Sequence, residues 1–405
     1  MPKYILTGAD GNLGGVAADF AIEIAKPEDE LVFTSYTLDS IPADKLKRWQ
    51  DKGVKVFAAS YDDPETLKPV FQGAEAVSFI STWLIGDRRR NQAKNVIDTA
   101  KACGVKRICY TSFVGAGATA ENEEDIPFLP RDHHFVEQQI YTSGLQYSIQ
   151  RNYLYADNIP KFFAPSWKFT ENRWLTNTHG ASGAYVARDD CGRVQAALLL
   201  GRGEPNHVYD VTGPEAVSHE EIFNFMCNET GYKAEFVDMS DEELEKYWLG
   251  RGLPVNVYGD FSELPMKLCI GDLLCSGETV ANGSMSKTSD AVEKLTGRKP
   301  THWKDTILMY RDIFPKPDHG KKGCYESRDD CGRVLGALLL GRGEPNTVYE
   351  VTGGEGVSHE EMFAFMSGEV GYKGEMVDLP DEELKKWWLD RGLPTDVYGD
   401  FSKRR

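Results

Sequence analysis

Three glycines near the start of the chain have the type and spacing that a dinucleotide requires. Gly8, Gly11 and Gly14 form a Gly-x-x-Gly-x-x-Gly pattern directly after the apolar residues 4–6. The first glycine of such a pattern permits a tight turn, the second lets the backbone approach a pyrophosphate, and the third lets the helix pack closely on the strand. The start of the helix then offers free amides and a partial positive charge to phosphates. The loop therefore predicts an NAD(P) site.

The elements that must position this loop alternate between strand-like and helix-like stretches. Continuous apolar runs predict strands at residues 4–7, 31–35, 54–59, 76–80, 107–111 and 146–150. Amphipathic stretches between them predict helices at residues 12–25, 42–51, 64–71, 91–102 and 132–142. This alternation indicates a parallel sheet with helices on both faces. We therefore expect an α/β fold with a doubly wound parallel sheet of the Rossmann type.

The rest of the chain predicts a smaller domain followed by a repeat. We expect residues 1–152 to form the NAD(P)-binding domain and residues 153–314 a smaller α+β substrate domain with a returning C-terminal helix. Residues 315–324 are rich in Pro, Gly and Lys, which is typical of a linker. Residues 325–405 partly repeat residues 185–262, because Arg188 begins the string RDDCGRVQAALLLGRGEP and Arg328 begins RDDCGRVLGALLLGRGEP. This internal duplication predicts a partial copy of the substrate domain, which either docks on another copy or is inert.

Charge and composition exclude several classes of partner. The 63 acidic residues outnumber the 46 basic ones, and the formal net charge of -17 opposes binding to nucleic acid or to an anionic membrane. No apolar run approaches the roughly 18 residues of a membrane span, and no signal peptide begins the chain, so we expect a cytoplasmic protein. The eight cysteines lack the spacing of metal ligands, so no metal site is predicted.

Five segments in order resemble one known family. They are TGADGNLGG at residues 7–15, YTSF at 110–113, RNYLYADNI at 151–159, YVARDDCGR at 185–193 and TSDAVEKLTGRKP at 288–300. Together they resemble the NmrA-like group of atypical short-chain dehydrogenases/reductases, over roughly residues 1–315. That group contains NADPH-dependent quinone reductases, isoflavone-reductase-like enzymes and dinucleotide sensors without catalytic activity.

The resemblance implies roles for individual residues. The pyrophosphate would lie against the loop residues Gly8, Gly11, Asn12, Leu13 and Gly14. Asp62 would lie near the adenine, Ser81 and Thr82 near the nicotinamide ribose, and Ser112 would face the nicotinamide. Asp62 and Ser112 also have structural interpretations, as a helix cap and as the end of a strand.

The choice between NADP and NAD depends on the end of the second strand. An acidic residue there would bind the ribose hydroxyls of NAD, and a basic one the 2′-phosphate of NADP. The chain has Ser35 there, which we take as a cofactor-binding candidate, between a threonine and a tyrosine. Lys45, Lys47 and Arg48 follow about ten residues later and favour NADP(H), although such a run is also typical of a solvated helix face. NAD(H) stays an alternative.

The helix predicted at residues 132–142 departs from the wider superfamily. Reductases of that superfamily carry a Tyr-x-x-x-Lys pair there, and an ungapped alignment puts Phe135 and Gln139 at the two positions. Glutamine can hydrogen-bond a ribose but carries no charge, and phenylalanine has no proton to give. Ordinary carbonyl reduction is therefore not predicted, whereas hydride transfer to a quinone needs mainly alignment of the two reactants.

Several groups could supply protons to an acceptor. Besides water, the candidates are His133, His134, Tyr141, Tyr153 and Tyr155, among which His134 matches a histidine that the family often has on this helix. The aromatic residues expected to wall an acceptor site, or alternatively to form core, are Trp83, Phe113, Tyr153, Tyr155, Phe162, Phe163 and Trp167. The catalytic candidates are thus His134, Gln139, Tyr155 and Ser112.

Two functions fit these features. The favoured hypothesis is an NAD(P)H-dependent oxidoreductase that transfers hydride to a small aromatic, quinone-like or enone acceptor. The alternative is a non-catalytic NAD(P)-binding redox sensor or transcriptional co-regulator that acts through a protein partner. The sequence leaves a homodimer open and predicts no direct contact with nucleic acid.

Overall fold

The computed structural model describes residues 1–118, 122–316, 331, 333–335, 358–370, 373–377 and 379–391. The chain divides into two compact units, Met1–Lys316 and Pro317–Arg405. The first unit contains the glycine loop and is described first. No helix in the described part of the chain is both long and apolar enough to cross a membrane.

A seven-stranded parallel sheet forms the centre of the first unit. Its strands are β1 Lys3–Leu6, β2 Glu30–Ser35, β3 Lys55–Ala58, β4 Ala76–Phe79, β5 Arg107–Phe113, β6 Gln146–Asn152 and β9 His207–Val211. They lie in the order β3-β2-β1-β4-β5-β6-β9. Tyr4 of β1 is in register with Leu31 on one side and Ala76 on the other, so the order reverses direction at β1 and β4. This is the expected doubly wound α/β sheet.

Helices cover both faces of the sheet. Those of the first unit are α1 Asn12–Ile24, α2 Ala43–Asp51, α3 Pro64–Phe71, α4 Asp87–Ala102, α5 Phe128–Thr142, α6 Ala164–Phe169, α7 Arg188–Leu199, α8 His219–Thr230, α9 Asp241–Gly250, α10 Ile270–Ala281, α11 Ala291–Thr296 and α12 Trp303–Leu308. Adjacent side chains of a strand point to opposite faces. Accordingly Leu6 packs in a core with α1 and α7, whereas Ile5 packs in a second core with α3, α4 and α5.

The sheet takes in chain beyond the boundary expected at residue 152. Strand β9 pairs with β6, with Ile149 in register with Val208. Helix α7 buries its apolar residues, such as Val194 and Leu198, in the same core as α1. Residues from the stretch assigned by sequence to the substrate domain therefore complete one edge and one face of the Rossmann sheet.

The remaining part of the first unit is a small α+β layer beside the carboxyl ends of the strands. It holds two short sheets, in which β7 Arg173–Thr176 pairs with β11 Glu235–Asp238, and β8 Ser182–Gly183 pairs with β10 Val217–Ser218. Its aromatic core includes Trp167 and Trp174, whose rings are stacked with centroids 5.1 Å apart. Trp167 is fully buried, so it belongs to the core and not to the wall of an acceptor site.

The described residues of the second unit include two helices, His359–Val370 and Asp381–Leu389. They begin at residues whose sequence matches the starts of α8 and α9 in the first unit. The amide of Ser358 donates to Glu361 and the amide of Glu361 donates back to Ser358, which closes the first turn as a capping box. Most of the expected linker and the repeat around Arg328 lie outside the described residues, so the role of the duplicated segment stays a prediction.

Candidate active site

A cleft of about 750 Å³ lies at the carboxyl ends of the central strands. The loops after β1 and β4 form one side of it, and the ends of β5 and β6 form its floor. Tyr185, which follows β8, His219 of α8 and residues of the segment before α10 close the other side. Ligands of open α/β sheets bind at the point where strand order reverses, and here the cleft lies against β1 and β4.

The glycine loop has a shape that only glycines allow. Gly8 has a φ of 65°, in the left-handed region, and a Cβ on Gly14 would fall well inside contact distance of the Gly8 carbonyl oxygen. Helix α1 begins after Gly11, and no side chain caps its first amides. These amides have no partner within the helix, so they are free to bind an anion. Gly8, Gly11, Asn12, Leu13 and Gly14 all line the cleft, and the loop fits the pyrophosphate of a dinucleotide.

The strand end that distinguishes NADP from NAD is engaged in local hydrogen bonds. Ser35 is buried at 1% exposure, donates to the Thr37 carbonyl oxygen at 2.7 Å and is not among the residues that line the cleft. Ser40 Oγ donates to Asp10 at 3.1 Å, and this bond holds the Asp10 carboxylate on the β2 side of the loop.

The three predicted cations have separate surroundings. Lys47 is paired with Asp51 at 2.6 Å, and Arg48 lies 3.5 Å from Asp19. Lys45 is different, because its Nζ lies against Gly15 in the first turns of α1. Of the three, Lys45 is therefore the one that the structure brings next to the dinucleotide loop.

Asp62 lies outside the residues that line the cleft. Its carboxylate accepts from Arg88 Nη2 at 3.1 Å, and this hydrogen bond lowers the pKa of Asp62 below its ordinary value. The helix-capping role that the sequence left open belongs to its neighbour Asp63, which accepts from the Glu65 amide at 3.1 Å. The placement of adenine near Asp62 stays a prediction.

Ser81 and Thr82 line the cleft after β4, as expected. The Ser81 amide donates to Thr111 Oγ1 at 2.8 Å, which ties the end of β4 to β5. Thr82 Oγ1 donates to Gln92 on α4 at 2.9 Å. The backbone of Ser81 and the side chain of Thr82 are thus held by hydrogen bonds within the protein.

A buried cation that the sequence did not predict lies beside Ser81. Arg89 of α4 is 8% exposed, lines the cleft and donates from Nε to Ser81 Oγ at 2.9 Å. Its Nη2 lies 2.8 Å from His133 Nε2, and a guanidinium can only donate. In the described part of the chain the side-chain partners of Arg89 are Ser81 and His133, and neither is a carboxylate. The Arg89 charge is therefore available to a negatively charged group in the cleft.

The contacts of His133 fix its protonation state. Nε2 accepts from Arg89, so the ring proton lies on Nδ1, which is 2.9 Å from the hydroxyl of Tyr110. Burial, together with the charge of Arg89, lowers the pKa of His133 well below its ordinary value. His133 is consequently neutral, and neither of its nitrogens is free to give a proton to a ligand.

Ser112 lines the cleft, but its proton is already committed. Ser112 Oγ donates to Glu137 Oε1 at 2.6 Å. The Glu137 carboxylate is fully buried and also accepts two bonds from Arg151, at 3.0 and 2.6 Å, and one from Tyr141 at 2.9 Å. Ser112 therefore presents lone pairs to the cleft and cannot act as a proton donor there.

The residues of α5 that face the cleft are not the ones that the ungapped alignment expects. His134 Nδ1 lies 2.8 Å from the Ala116 carbonyl oxygen, and neither His134 nor Gln139 lines the cleft. Phe135 packs beneath Arg90, 4.7 Å from ring centroid to guanidinium. Residues four apart share a helix face, and the face toward the strand ends carries His133 and Glu137. The structure therefore places His133 and Glu137, and not Phe135 and Gln139, on the side of α5 that faces β5.

The cleft has a largely aromatic wall. Six of the seven predicted aromatic residues line it, namely Trp83, Phe113, Tyr153, Tyr155, Phe162 and Phe163. The Tyr155 hydroxyl accepts from Asn152 at 3.0 Å, and burial raises the pKa of Tyr155. Arg188, which the sequence did not predict here, stacks on the Tyr155 ring with its guanidinium 5.0 Å from the centroid.

The small α+β layer adds two further aromatic groups to this wall, Tyr185 and His219. His219 Nδ1 lies 2.9 Å from Thr176 Oγ1, and its ring stacks on Trp174 with centroids 4.5 Å apart. Burial lowers the pKa of His219 to about 3, so the ring is neutral. The segment before α10 reaches across the cleft mouth, where the Tyr258 hydroxyl donates to the Ile85 carbonyl oxygen at 2.9 Å.

Comparison with known proteins gives one family. The model of the NmrA-like family matches residues 3–269. The chain is 25% identical to an NmrA-like family domain-containing oxidoreductase of Aspergillus flavus, over 75% of this chain and 94% of the other. It is also 25% identical to quinone oxidoreductase 2 of Escherichia coli, over 75% of this chain and 96% of the other.

Two solved structures show the same fold. Triphenylmethane reductase of a Citrobacter species has a TM-score of 0.60 at 24% identity and matches 77% of this chain and all of the other. The NADPH-dependent quinone oxidoreductase of Escherichia coli, solved with NADPH, has a TM-score of 0.59 at 23% identity and matches 76% of this chain and 99% of the other.

Proposed function

The chain belongs to the NmrA-like family, and from that premise we propose that it is an NAD(P)H-dependent oxidoreductase acting on a small, flat, quinone-like acceptor. The observation that carries the proposal is that the glycine loop and the aromatic wall line one continuous cleft. A dinucleotide bound at the loop would extend along the strand ends toward the wall. The names of the relatives, a quinone oxidoreductase and a triphenylmethane reductase, support an aromatic acceptor.

The cofactor proposal rests on the loop and on Lys45. A bound NAD(P)H would supply the hydride, and Gly8, Gly11 and Gly14 with the amides of α1 would hold its phosphates. Ser81 and Thr82 would hold the nicotinamide ribose. We infer a preference for NADP(H) because Lys45 lies beside α1 and because two solved relatives were crystallised with NADP(H) or NADPH.

The chain's own groups favour orientation over acid catalysis. The pKa values of His133 and His219 lie far below neutrality, and burial raises the pKa of Tyr153 to about 12 and that of Tyr155 further. None of these side chains changes its charge near neutral pH. Reduction of a quinone adds one hydride and one proton, and solvent would supply that proton after transfer.

Arg89 has a distinct role in this proposal. Adding hydride to a neutral quinone leaves one negative charge until a proton arrives. A buried cation whose described neighbours are neutral, Ser81 and His133, would stabilise that charge in a site of low dielectric. Electrostatic stabilisation by Arg89 would then take the place of the tyrosine and lysine of the wider superfamily.

A redox sensor of the same fold would bind the dinucleotide without consuming it. The test is steady-state oxidation of NADPH and NADH with a panel of quinones, followed in the nicotinamide absorbance band, beside calorimetric titration of both cofactors. Acceptor-dependent oxidation that Arg89→Gln slows at unchanged cofactor affinity would support the oxidoreductase. Tight cofactor binding without oxidation by any acceptor would favour the sensor.

A further inference from the structure

A tyrosine in the aromatic wall of the cleft has a buried hydroxyl that finds no hydrogen-bond partner in the described part of the chain. Among the described residues, the buried side-chain polar atoms without a partner belong to Arg107, Gln150, Trp167, Tyr185, Arg193, Gln195, Tyr247 and Trp248. Tyr185 is the member of this set that lines the cleft. Its side chain is 1% exposed, so the unpaired hydroxyl is largely removed from bulk solvent. A buried donor left unpaired costs free energy, and such groups in a site mark a place where a ligand supplies the partner.

The ring of Tyr185 is held firmly. It lies between Gly183, whose Cβ position is 3.3 Å from its edge, and the ring of His219, with centroids 5.7 Å apart and planes 29° from parallel. A rigid ring fixes where its hydroxyl lies, so the group can select a ligand atom by position. Burial also raises the pKa of Tyr185, which keeps the hydroxyl protonated and able to donate.

His219 adds a second polar atom to the same wall. Its Nδ1 is engaged by Thr176, and no hydrogen bond to Nε2 is found in the described part of the chain. His219 lines the cleft beside Tyr185 at 2% exposure. Two polar atoms that lie together on an otherwise aromatic wall form a polar end, which a purely apolar ligand would leave unsatisfied.

We propose that Tyr185, supported by His219, hydrogen-bonds an oxygen atom of the acceptor other than the one at the reacting end. The cleft then prefers acceptors with an oxygen at each end of the ring, such as para-quinones, over enones with a single carbonyl. A site built to hydrogen-bond a substrate oxygen discriminates strongly against an analogue that lacks it. This inference rests on the proposed function and names the substrate class of the same site.

The test compares Tyr185→Phe with the wild type on two acceptors, a para-quinone and a cyclic enone. Loss of the bond should raise KM for the quinone about 5- to 20-fold. The KM for the enone and the affinity for NADPH should change by less than about twofold, because neither uses the hydroxyl. Equal changes for both acceptors, or none for the quinone, would overturn the inference.

Tyr209→Phe is the matched control. Tyr209 is a buried tyrosine outside the cleft, and its hydroxyl accepts from the Glu204 amide at 2.7 Å. Its loss should lower the melting temperature and leave the ratio of the two KM values unchanged. Tyr185→Phe should not lower the melting temperature of the free protein, because it removes an unpaired donor.

A binding measurement separates this inference from the proposed function. Calorimetric titration with hydroquinone, the reduced two-oxygen ring, needs no turnover. Suppose that the wild-type protein oxidises no cofactor, but that its affinity for hydroquinone is higher than that of Tyr185→Phe. The proposed function then fails and the polar end stands. If the wild type turns over quinones and the variant binds hydroquinone equally well, the polar end fails and the proposed function stands.

Discussion

Ser112 Oγ lies 2.6 Å from Glu137 Oε1, and this bond determines what the end of β5 can offer a ligand. An ionised carboxylate only accepts, so the hydroxyl must be the donor. Arg151 and Tyr141 supply the other donors to Glu137. A buried carboxylate of this kind holds Ser112, the end of β6 and α5 in one arrangement, and it removes Ser112 from proton transfer.

The first prediction concerns the buried ion pair of Glu137 and Arg151. Glu137→Gln should lower the free energy of unfolding by about 3 kcal/mol, because it leaves the mostly buried guanidinium without its counter-charge. Denaturant unfolding measures the change. The matched control is Glu75→Gln, which breaks the exposed pair with Lys106 and should cost less than about 1 kcal/mol. Equally small losses of unfolding free energy in the two variants would show that the buried ion pair does not stabilise the fold.

The second prediction separates two adjacent glycines. In Gly14→Ala the new Cβ would meet the backbone oxygen of Gly8, so the loop must move, and affinity for NADPH and NADH should fall about 10-fold or more. In Gly15→Ala the Cβ would meet the flexible end of Lys45, which can turn aside. We expect Gly15→Ala to keep NADH affinity within about threefold, measured by calorimetry. Similar losses in both variants would contradict the assigned role of Gly14.

The third prediction follows from the register of α5. Gln139→Lys restores the lysine that the ungapped alignment finds missing, yet Gln139 does not line the cleft. Affinity for NADPH and kcat should therefore both stay within about twofold of the wild type. His133→Phe, on the same helix, removes the acceptor that Arg89 needs and should lower kcat clearly. A gain of activity in Gln139→Lys would show that the helix faces the cofactor in the other register.

The fourth prediction is a pH dependence of stability. The pKa of His219 is about 3 in the folded state and about 6.5 in an unfolded chain, so below pH 6.5 protons bind the unfolded state first. Stability is therefore complete above pH 6.5 and is lost as the pH falls toward 3, by about 2 kcal/mol at pH 5 from this group. The lowered pKa of His133 acts in the same direction.

Unfolding of His219→Gln at several pH values measures that contribution. The variant should lose about 2 kcal/mol less than the wild type between pH 7 and pH 5. The exposed His207 gives the control, because His207→Gln should follow the wild-type curve. Identical curves for the wild type and His219→Gln would mean that His219 is protonated in the folded protein.

The sequence predicted the sheet and the glycine loop well because both depend on local patterns. The six strands expected before residue 152 all form, and their ends differ from the expected ones by at most two residues. The spacing of Gly8, Gly11 and Gly14 depends only on a short turn within the chain, so it too can be recognised in the sequence. The rotation of α5 could not be predicted in this way. A shift of one residue turns a helix by about 100°, and packing against the sheet selects the face.

The residues that give the cleft its charge and polarity come from distant elements. Arg89 and His133 meet between α4 and α5, and Tyr185, which follows β8, stacks on His219 of α8. No spacing along the chain marks these pairs, because tertiary packing brings them together. By the same reasoning β9, which follows residue 152, was not expected in the main sheet.

The proposed function requires that the cleft passes hydride from a bound cofactor to a quinone-like acceptor. A single-turnover experiment tests it most directly: the protein in excess over NADPH is mixed with a para-quinone, and the nicotinamide absorbance is followed. We predict loss of the absorbance at a rate at least equal to kcat, and a slower loss in Gly14→Ala at the same protein concentration. Unchanged absorbance in the wild type, with NADPH shown to be bound and with every quinone tried, would contradict the account.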